Sequence, residues 1–117
     1  MNDADVKYAM AATVIEEVHG FLRNSGYTDA SLKNAKQDWW TKRLMIDERA
    51  YRYMVRLHSS LPKPGEVSVR VSVQAFGDVS SNFGVTRYVR SVAEATAWIE
   101  KATGVVIAAL HLAERML

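Results

Sequence analysis

Three histidines are the side chains in this sequence best suited to acid–base or metal chemistry, and none of them belongs to a recognisable motif. A metalloprotease-type helix carries a second histidine four positions from the first, but the residues four positions on either side of His19 are Ile15 and Arg23. His58 and His111 fit no catalytic or metal-binding pattern either. We therefore expect no catalytic residue, no metal ligand and no enzymatic activity.

One polar segment has the composition of the first half of a calcium loop, because oxygen-bearing side chains stand at Asp78, Ser80 and Asn82. Such a loop then requires a glycine and, further on, a bidentate glutamate, where this chain has Phe83 and Val89. A hairpin turn accounts for the same residues, since glycine, aspartate, serine and asparagine adopt turn conformations readily. No glycine-rich phosphate loop precedes a helix, so no cofactor is expected.

The 117 residues, 49% of them hydrophobic, are enough for one domain spanning 1–117 with a core that needs no metal or disulfide. The absence of cysteine excludes disulfides and thiolate ligands and fits a reducing cytoplasm. The N-terminal residues lack the charge pattern of a secretion signal, and no apolar run is long enough to span a bilayer. We therefore expect a cytoplasmic protein that does not enter the membrane.

Two segments near the N-terminus are predicted to be helical. From Asp5 to Arg23 the apolar residues recur at the spacing of one helix face, and Gly26 supplies a stop because glycine readily adopts a left-handed conformation. The segment from Asp29 to Thr41 is rich in helix-favouring residues, and Asp29 is a suitable N-cap. The sequence thus predicts N-terminal helices, one long and one short.

Residues 43–59 fit two patterns. Large apolar residues at alternate positions indicate a half-buried strand: Tyr51, Tyr53, Val55 and Leu57. A second set lines one face of a helix: Ile46, Ala50, Tyr53 and Leu57. The aromatic and β-branched content favours the strand.

The segment 66–90 is predicted to be a hairpin. Its first strand, which ends at Phe76, has valines at alternate positions and polar residues between them, so that one face is apolar. Its second strand begins at Phe83 after a polar turn. If 43–59 is also a strand, the three form a small antiparallel meander.

A long C-terminal helix is predicted to begin at the capping box formed by Ser91 and Glu94. Its apolar positions continue in phase through Gly104, which favours one helix over two, although glycine costs about 1 kcal/mol relative to alanine there. The predicted fold is α+β, with N-terminal helices, a small antiparallel sheet of two to three strands, and the C-terminal helix packed on its valine face.

Basic and aromatic residues suggest two alternative binding surfaces. The net charge of +2 is small for a protein that coats DNA, but residues 33–56 combine basic side chains with two tryptophans. Arginine and tryptophan are frequent at the energetic centres of protein interfaces, so we assign a protein partner to six residues: Trp39, Trp40, Lys42, Arg43, Arg52 and Arg56. An arginine-rich sheet face for nucleic acid is the alternative: Arg52, Arg56, Arg70, Tyr88 and Arg90.

The C-terminal helix is apolar on nearly every side between Val105 and Leu110, so more than one of its faces must be buried. The sequence leaves two explanations open. The helix is either central to the core of one chain, or it presents a second seam to another chain through residues spaced by seven, namely Trp98, Val105 and Leu112. The second explanation predicts a homodimer.

These observations predict a small, non-enzymatic accessory module that binds a protein partner and forms a homodimer. Its size and lack of recognisable chemistry are typical of inhibitors of larger host complexes, such as phage-encoded anti-defence proteins. The alternative hypothesis is a nucleic-acid-binding domain that uses the arginine-rich sheet face. The identity of any partner is beyond what these residues specify.

Overall fold

A computed structural model describes residues 2–30, 38–59, 63–75 and 82–116 of the chain. In these ranges two helices pack on one face of a five-stranded antiparallel sheet. The elements in chain order are α1 (Asp3–Asn24), β1 (Thr28–Asp29), β2 (Asp38–Ile46), β3 (Arg49–Ser59), β4 (Val67–Ala75), β5 (Asn82–Val89) and α2 (Val92–Arg115). The strands lie in the same order in the sheet as in the chain.

The two central strands, β3 and β4, bury every second side chain against the helices. In β4 the valines at 67, 69, 71 and 73 are buried, and Val71 lies opposite Val55 of β3. Leu57 and Tyr53 extend this layer along β3, and all of these side chains belong to one hydrophobic core. The predicted alternation of both strands is therefore confirmed.

Helix α1 begins where the Asn2 side chain accepts a hydrogen bond from the Asp5 amide (2.9 Å), and it buries Ala11, Val18 and Leu22. It ends at Ser25, and the next residue, Gly26, has a φ of 88°, as expected for a glycine stop.

Helix α2 begins at the predicted capping site. The Ser91 hydroxyl accepts a hydrogen bond from the Glu94 amide (3.1 Å), while the Glu94 carboxylate accepts one from the Arg90 amide (3.2 Å) instead of the Ser91 amide. The helix continues through Gly104 to Arg115 without interruption, so the prediction of one long helix is confirmed. None of the helices in the described ranges is long and apolar enough to cross a bilayer.

Two hydrogen bonds connect α2 to the central strands. The Trp98 indole Nε1 donates to the carbonyl oxygen of Val69 (3.0 Å), and the Tyr53 hydroxyl donates to the carbonyl oxygen of Thr103 (3.2 Å). Because both aromatic side chains carry one polar atom each, these bonds satisfy that atom while the rings remain in apolar surroundings. The C-terminal helix is thus packed on the valine face, as predicted.

The predicted second helix, Asp29–Thr41, is wrong at both of its ends. Thr28 and Asp29 form β1 and residues from Asp38 onward form β2, whereas residues 31–37 lie outside the described ranges. The strand prevails because Trp40 pairs with Val55 and is buried in the core, and tertiary burial outweighs the few tenths of a kcal/mol per residue by which helix propensities differ.

The sheet also has more strands than the two to three predicted. Residues 43–59 divide at a turn, where Asp47 and Glu48 have φ values of 51° and 66°, so that β2 and β3 form a tight hairpin. The preference for strand over helix in this segment is confirmed. Most of the predicted turn between the last two strands lies outside the described residues.

Replacing Leu57 by alanine is expected to lower the free energy of unfolding by about 2–5 kcal/mol, because the side chain is fully buried and a cavity remains. Met45 lies on the other face of the sheet and is 59% exposed, so Met45→Ala is the matched control and is expected to change stability by less than about 0.5 kcal/mol. Urea denaturation followed by circular dichroism measures both. Equal losses in the two variants would contradict the assignment of faces.

The Tyr27 hydroxyl makes stability sensitive to alkaline pH. Burial, with a smaller contribution from the nearby Tyr53, raises the pKa of Tyr27 from 10.0 to about 12. The unfolded chain therefore loses this proton at lower pH than the folded chain does. The stabilisation of the folded state that this difference in pKa provides is complete below about pH 10. It amounts to on the order of 2 kcal/mol and is lost as the pH rises towards 12.

The alkaline loss is measured by urea denaturation at several pH values between about 9 and 12. In Tyr27→Phe the loss over this range is expected to be smaller, because the titrating hydroxyl is absent. The pH dependence of stability that remains in this variant includes a contribution from Tyr53, because burial raises the pKa of Tyr53 as well. An unchanged slope in Tyr27→Phe would show that Tyr27 is not responsible.

Candidate nucleic-acid interface

The side of the sheet that faces away from the helices carries most of the polar residues of the strands, and we call it the open face. Residues that lie opposite each other in an antiparallel ladder point to the same side, so the register defines this set. Its members are Thr28, Trp39, Thr41, Arg43, Met45, Ala50, Arg52, Met54, Arg56, His58, Ser68, Arg70, Ser72, Gln74, Asn82, Gly84, Thr86 and Tyr88. Within the described ranges the open face has four arginines and no aspartate or glutamate.

The register places these arginines in two directly opposite pairs. Arg56 of β3 lies opposite Arg70 of β4, and Arg43 of β2 lies opposite Arg52 of β3. Four residues separate Arg52 from Arg56 along β3, which corresponds to about 13 Å. The open face therefore presents two cationic positions at a fixed separation.

An aromatic ring holds one of the four guanidinium groups in place. The guanidinium carbon of Arg56 lies 5.3 Å from the centroid of the half-buried Trp39 ring, which is cation–π geometry. The two residues are also directly opposite each other in the β2–β3 ladder. Ring and guanidinium thus form a continuous platform across two strands.

A glycine makes room for a second guanidinium. A Cβ atom built on Gly84 would lie 2.5 Å from Nη2 of Arg70 and 2.7 Å from its Cζ, so that only a hydrogen atom fits beneath this side chain. The Nη1 atom of Arg70 donates to the Thr86 hydroxyl at 3.4 Å. The guanidinium of Arg70 therefore extends across β5 over the position of the missing side chain.

A concave site continues the open face towards the β1 edge of the sheet. It has a volume of about 520 Å³, and its lining consists of Gly26, Thr28, Thr41, Lys42, Arg43 and Arg52. The Lys42 ammonium points to the helix side, where it donates to the carbonyl oxygen of Ser25 (2.7 Å). Two hydroxyl groups and two arginines around a hollow of this size suit a phosphate-bearing ligand.

Tyr88 supplies an aromatic ring at the opposite edge of the open face. Its side chain is 56% exposed, and it lies opposite Ser68, which in turn lies opposite His58. Three inter-strand spacings and an offset of two residues along the strands separate Tyr88 on β5 from Trp39 on β2, or about 16 Å in all. Arg56 and Arg70 lie between these two positions, whereas Arg43 and Arg52 lie beyond Trp39 on the side away from Tyr88.

No protein-family model, curated protein or solved structure matches this chain.

The structure brings together four of the five residues assigned to the nucleic-acid alternative: Arg52, Arg56, Arg70 and Tyr88 are all on the open face. The fifth, Arg90, lies beyond the end of β5. Its Nη2 and Nε atoms donate to the carboxylate of Glu66 at 3.1 and 3.3 Å, so its charge is already paired. Arg90 is therefore not part of the surface described here.

The six residues assigned to a protein partner divide between the two sides of the sheet. Trp39, Arg43, Arg52 and Arg56 are on the open face, but Trp40 and Lys42 point to the helix side. Trp40 is only 1% exposed, with its ring centroid 5.0 Å from that of His19. The placement of Trp40 on a partner surface is corrected accordingly, because adjacent residues of a strand point to opposite faces.

Sequence reasoning missed Trp39 as the ring that pairs with Arg56. A signal was present, since Trp40, Leu44 and Ile46 are apolar at alternate positions, as expected for a strand. Lys42 interrupts that alternation, and the helix-favouring residues before position 38 supported the opposite interpretation.

The histidines lie in separate places. His19 approaches Asp38 (3.2 Å), the His111 ring meets the edge of Tyr51 (centroids 5.6 Å apart), and His58 is on the open face. Within the described ranges, no three histidine, aspartate or glutamate side chains converge on a point that could hold a metal ion. The expected lack of enzymatic activity remains a prediction.

Proposed function

We propose that this protein binds single-stranded nucleic acid across the open face. The observation that carries the proposal is that Arg56 and Arg70 lie between the aromatic residues Trp39 and Tyr88, on a described surface without a carboxylate. The Arg56 guanidinium extends towards β2 and the Arg70 guanidinium extends over β5, so the two present separate positive charges across the sheet. The polyanionic backbone of a nucleic acid supplies a phosphate to each of these charges.

The aromatic residues favour a single strand over a duplex. Trp39 and Tyr88 flank Arg56 and Arg70, and unpaired bases stack on such rings whatever their identity. The span of about 16 Å between the two positions accommodates several nucleotides at the rise of about 3.4 Å per nucleotide of a stacked strand. Bases paired within a duplex do not offer their faces for this stacking.

The four arginines act mainly on affinity and give little sequence preference. Arg56 and Arg70 contact backbone phosphates in the centre of the open face, while Arg43 and Arg52 do so beside the hollow at the β1 edge. Four phosphate contacts predict that the logarithm of the binding constant falls with the logarithm of salt at a slope of about −3. The net charge of +2 favours a local site of this kind over the coating of long nucleic acids.

The hypothesis of a protein partner remains a prediction, and four of its six residues belong to the same open face. An acidic protein segment would also satisfy the arginines, but it brings no unpaired bases to stack on Trp39 and Tyr88. Binding experiments with nucleic acid alone therefore distinguish the two functions.

The direct test is fluorescence anisotropy with labelled single-stranded DNA and RNA of about 12 nucleotides, and with a duplex of the same length. We expect the single strands to bind more tightly than the duplex. Arg56→Ala and Arg70→Ala should each weaken binding about tenfold, because each removes a charge-assisted hydrogen bond to phosphate. Each should also reduce the magnitude of the salt slope by about 0.7.

Trp39→Val should weaken binding by about 1–3 kcal/mol per lost stack while leaving the salt slope unchanged, and valine retains a high propensity for strands. Lys7→Ala is the matched charge control, because Lys7 lies on α1 in the helix layer. It should bind as the wild type does. Failure of every oligonucleotide to bind, or equal losses in Lys7→Ala and Arg70→Ala, would refute the proposal.

A further inference from the structure

The side of α2 that faces away from the sheet has no exposed charged residue between Lys101 and Arg115. The exposed positions between Lys101 and Arg115 are Gly104, Val105, Ala108 and Leu112. Val105 is 47% exposed and Leu112 is 55% exposed, and these residues lie within one third of the helix circumference. We call this surface the outer face of α2. We propose that it binds the outer face of α2 in a second copy of this chain, with the two helices antiparallel.

This inference goes beyond nucleic-acid binding and does not rest on it. The outer face of α2 and the open face lie on opposite sides of the molecule, because α2 covers the helix side of β4 and β5. Each surface can therefore be changed without altering the other.

Gly104 is the first observation that points to a second helix. A Cβ atom built at this position would meet nothing within 4 Å, so the fold of a single chain makes no use of the missing side chain. Glycine within a helix nevertheless lowers helix stability relative to alanine. A close approach of another backbone gives the glycine a role, because side chains are what normally hold packed helices about 8–10 Å apart.

The charges at the two ends of the outer face identify the partner as a second copy in antiparallel orientation. Glu94 lies ten residues before Gly104, and Arg115 lies ten residues after Val105. A two-fold axis between residues 104 and 105 therefore places Glu94 of each copy opposite Arg115 of the other, in two equivalent ion pairs. Parallel helices would instead place Glu94 opposite Glu94 and Arg115 opposite Arg115.

A groove receives the largest exposed side chain of the outer face in this arrangement. Arg87, Glu94, Ala97, Trp98 and Lys101 line a concave site of about 210 Å³ between β5 and α2. Ala97 precedes Gly104 by seven residues and Leu112 follows Val105 by seven, so Leu112 of one copy lies over Ala97 of the other. The Trp98 ring, which its hydrogen bond to Val69 fixes in place, forms one wall.

The three residues assigned to a seam from their spacing of seven thus have different roles. Trp98 is half-buried in its own chain and shapes the groove, whereas Val105 and Leu112 supply the exposed contact. A single pair of helices buries less than the roughly 800 Å² per partner of a standard interface. We therefore expect a dimer with a dissociation constant in the micromolar range.

Sedimentation equilibrium of the full chain, over a range of concentrations, tests the dimer. Leu112→Glu should be monomeric at every concentration while it retains the helical circular dichroism of the wild type. Gly104→Leu should also be monomeric, because its side chain separates the helices, although it raises the helix propensity of α2. Wild-type protein that stays monomeric at every concentration, or dimers of undiminished stability in both variants, would overturn the proposal.

Charge reversal tests the orientation. Arg115→Glu places like charges opposite each other at both ends, so we expect dimerisation to weaken at least tenfold. The double variant Glu94→Lys with Arg115→Glu restores both ion pairs with reversed sign and should recover most of this loss. Because Glu94 also belongs to the capping box of α2, circular dichroism is used to check that the double variant keeps its helical structure. Absence of recovery in a folded double variant would contradict the antiparallel pairing.

Cysteine cross-linking gives an independent measure of orientation, because the natural chain contains no cysteine. Val105 lies beside the two-fold axis, so Val105→Cys should form a disulfide-linked dimer under mild oxidation. The two copies of residue 93 would be about 35 Å apart, so Ala93→Cys should not cross-link. Cross-linking of both variants would show a parallel pair and overturn the proposal, as would cross-linking of neither.

Discussion

The register between β3 and β4 is the constraint on which the rest of this structure depends. Placing Val55 opposite Val71 brings the apolar sides of both strands under the helices, and one position further along it places Arg56 opposite Arg70. Because side chains alternate between faces, a slip by one residue would turn the valines to solvent and the arginines into the core. Burial of the valines therefore fixes both arginines on the open face, with the Arg56 guanidinium over Trp39 of β2 and the Arg70 guanidinium over Gly84 of β5.

This coupling explains how a chain with a net charge of only +2 presents a strongly cationic surface. Its acidic residues are placed elsewhere in the described ranges: Glu66 pairs with Arg90 beyond the sheet, Glu114 pairs with Arg49, and Asp38 approaches His19 on the helix side. Within the described ranges, the residues of the open face include four arginines and no aspartate or glutamate. The proposed function follows from this separation of charge more than from its total.

Sequence patterns predicted the elements whose burial repeats regularly and failed where one residue interrupts the repeat. The valines of β4 and the capping box of α2 identified those elements correctly. Strand β2 was missed because Lys42 stands at a helix-side position, where it is accommodated by its bond to the Ser25 carbonyl. That Arg43 lies directly opposite Arg52 was not predictable from the sequence. It depends on the register between β2 and β3, which the pattern of one strand alone does not determine.

The order of the strands has a consequence for how the chain folds. Each strand pairs only with its neighbours along the chain, so the sheet can assemble hairpin by hairpin with short loop closures. Helix α2 follows all five described strands in the chain and covers β4 and β5. During translation the part of the valine side that α2 covers therefore stays exposed until α2 has emerged, and that interval is when the growing polypeptide is most prone to aggregation and to binding by chaperones.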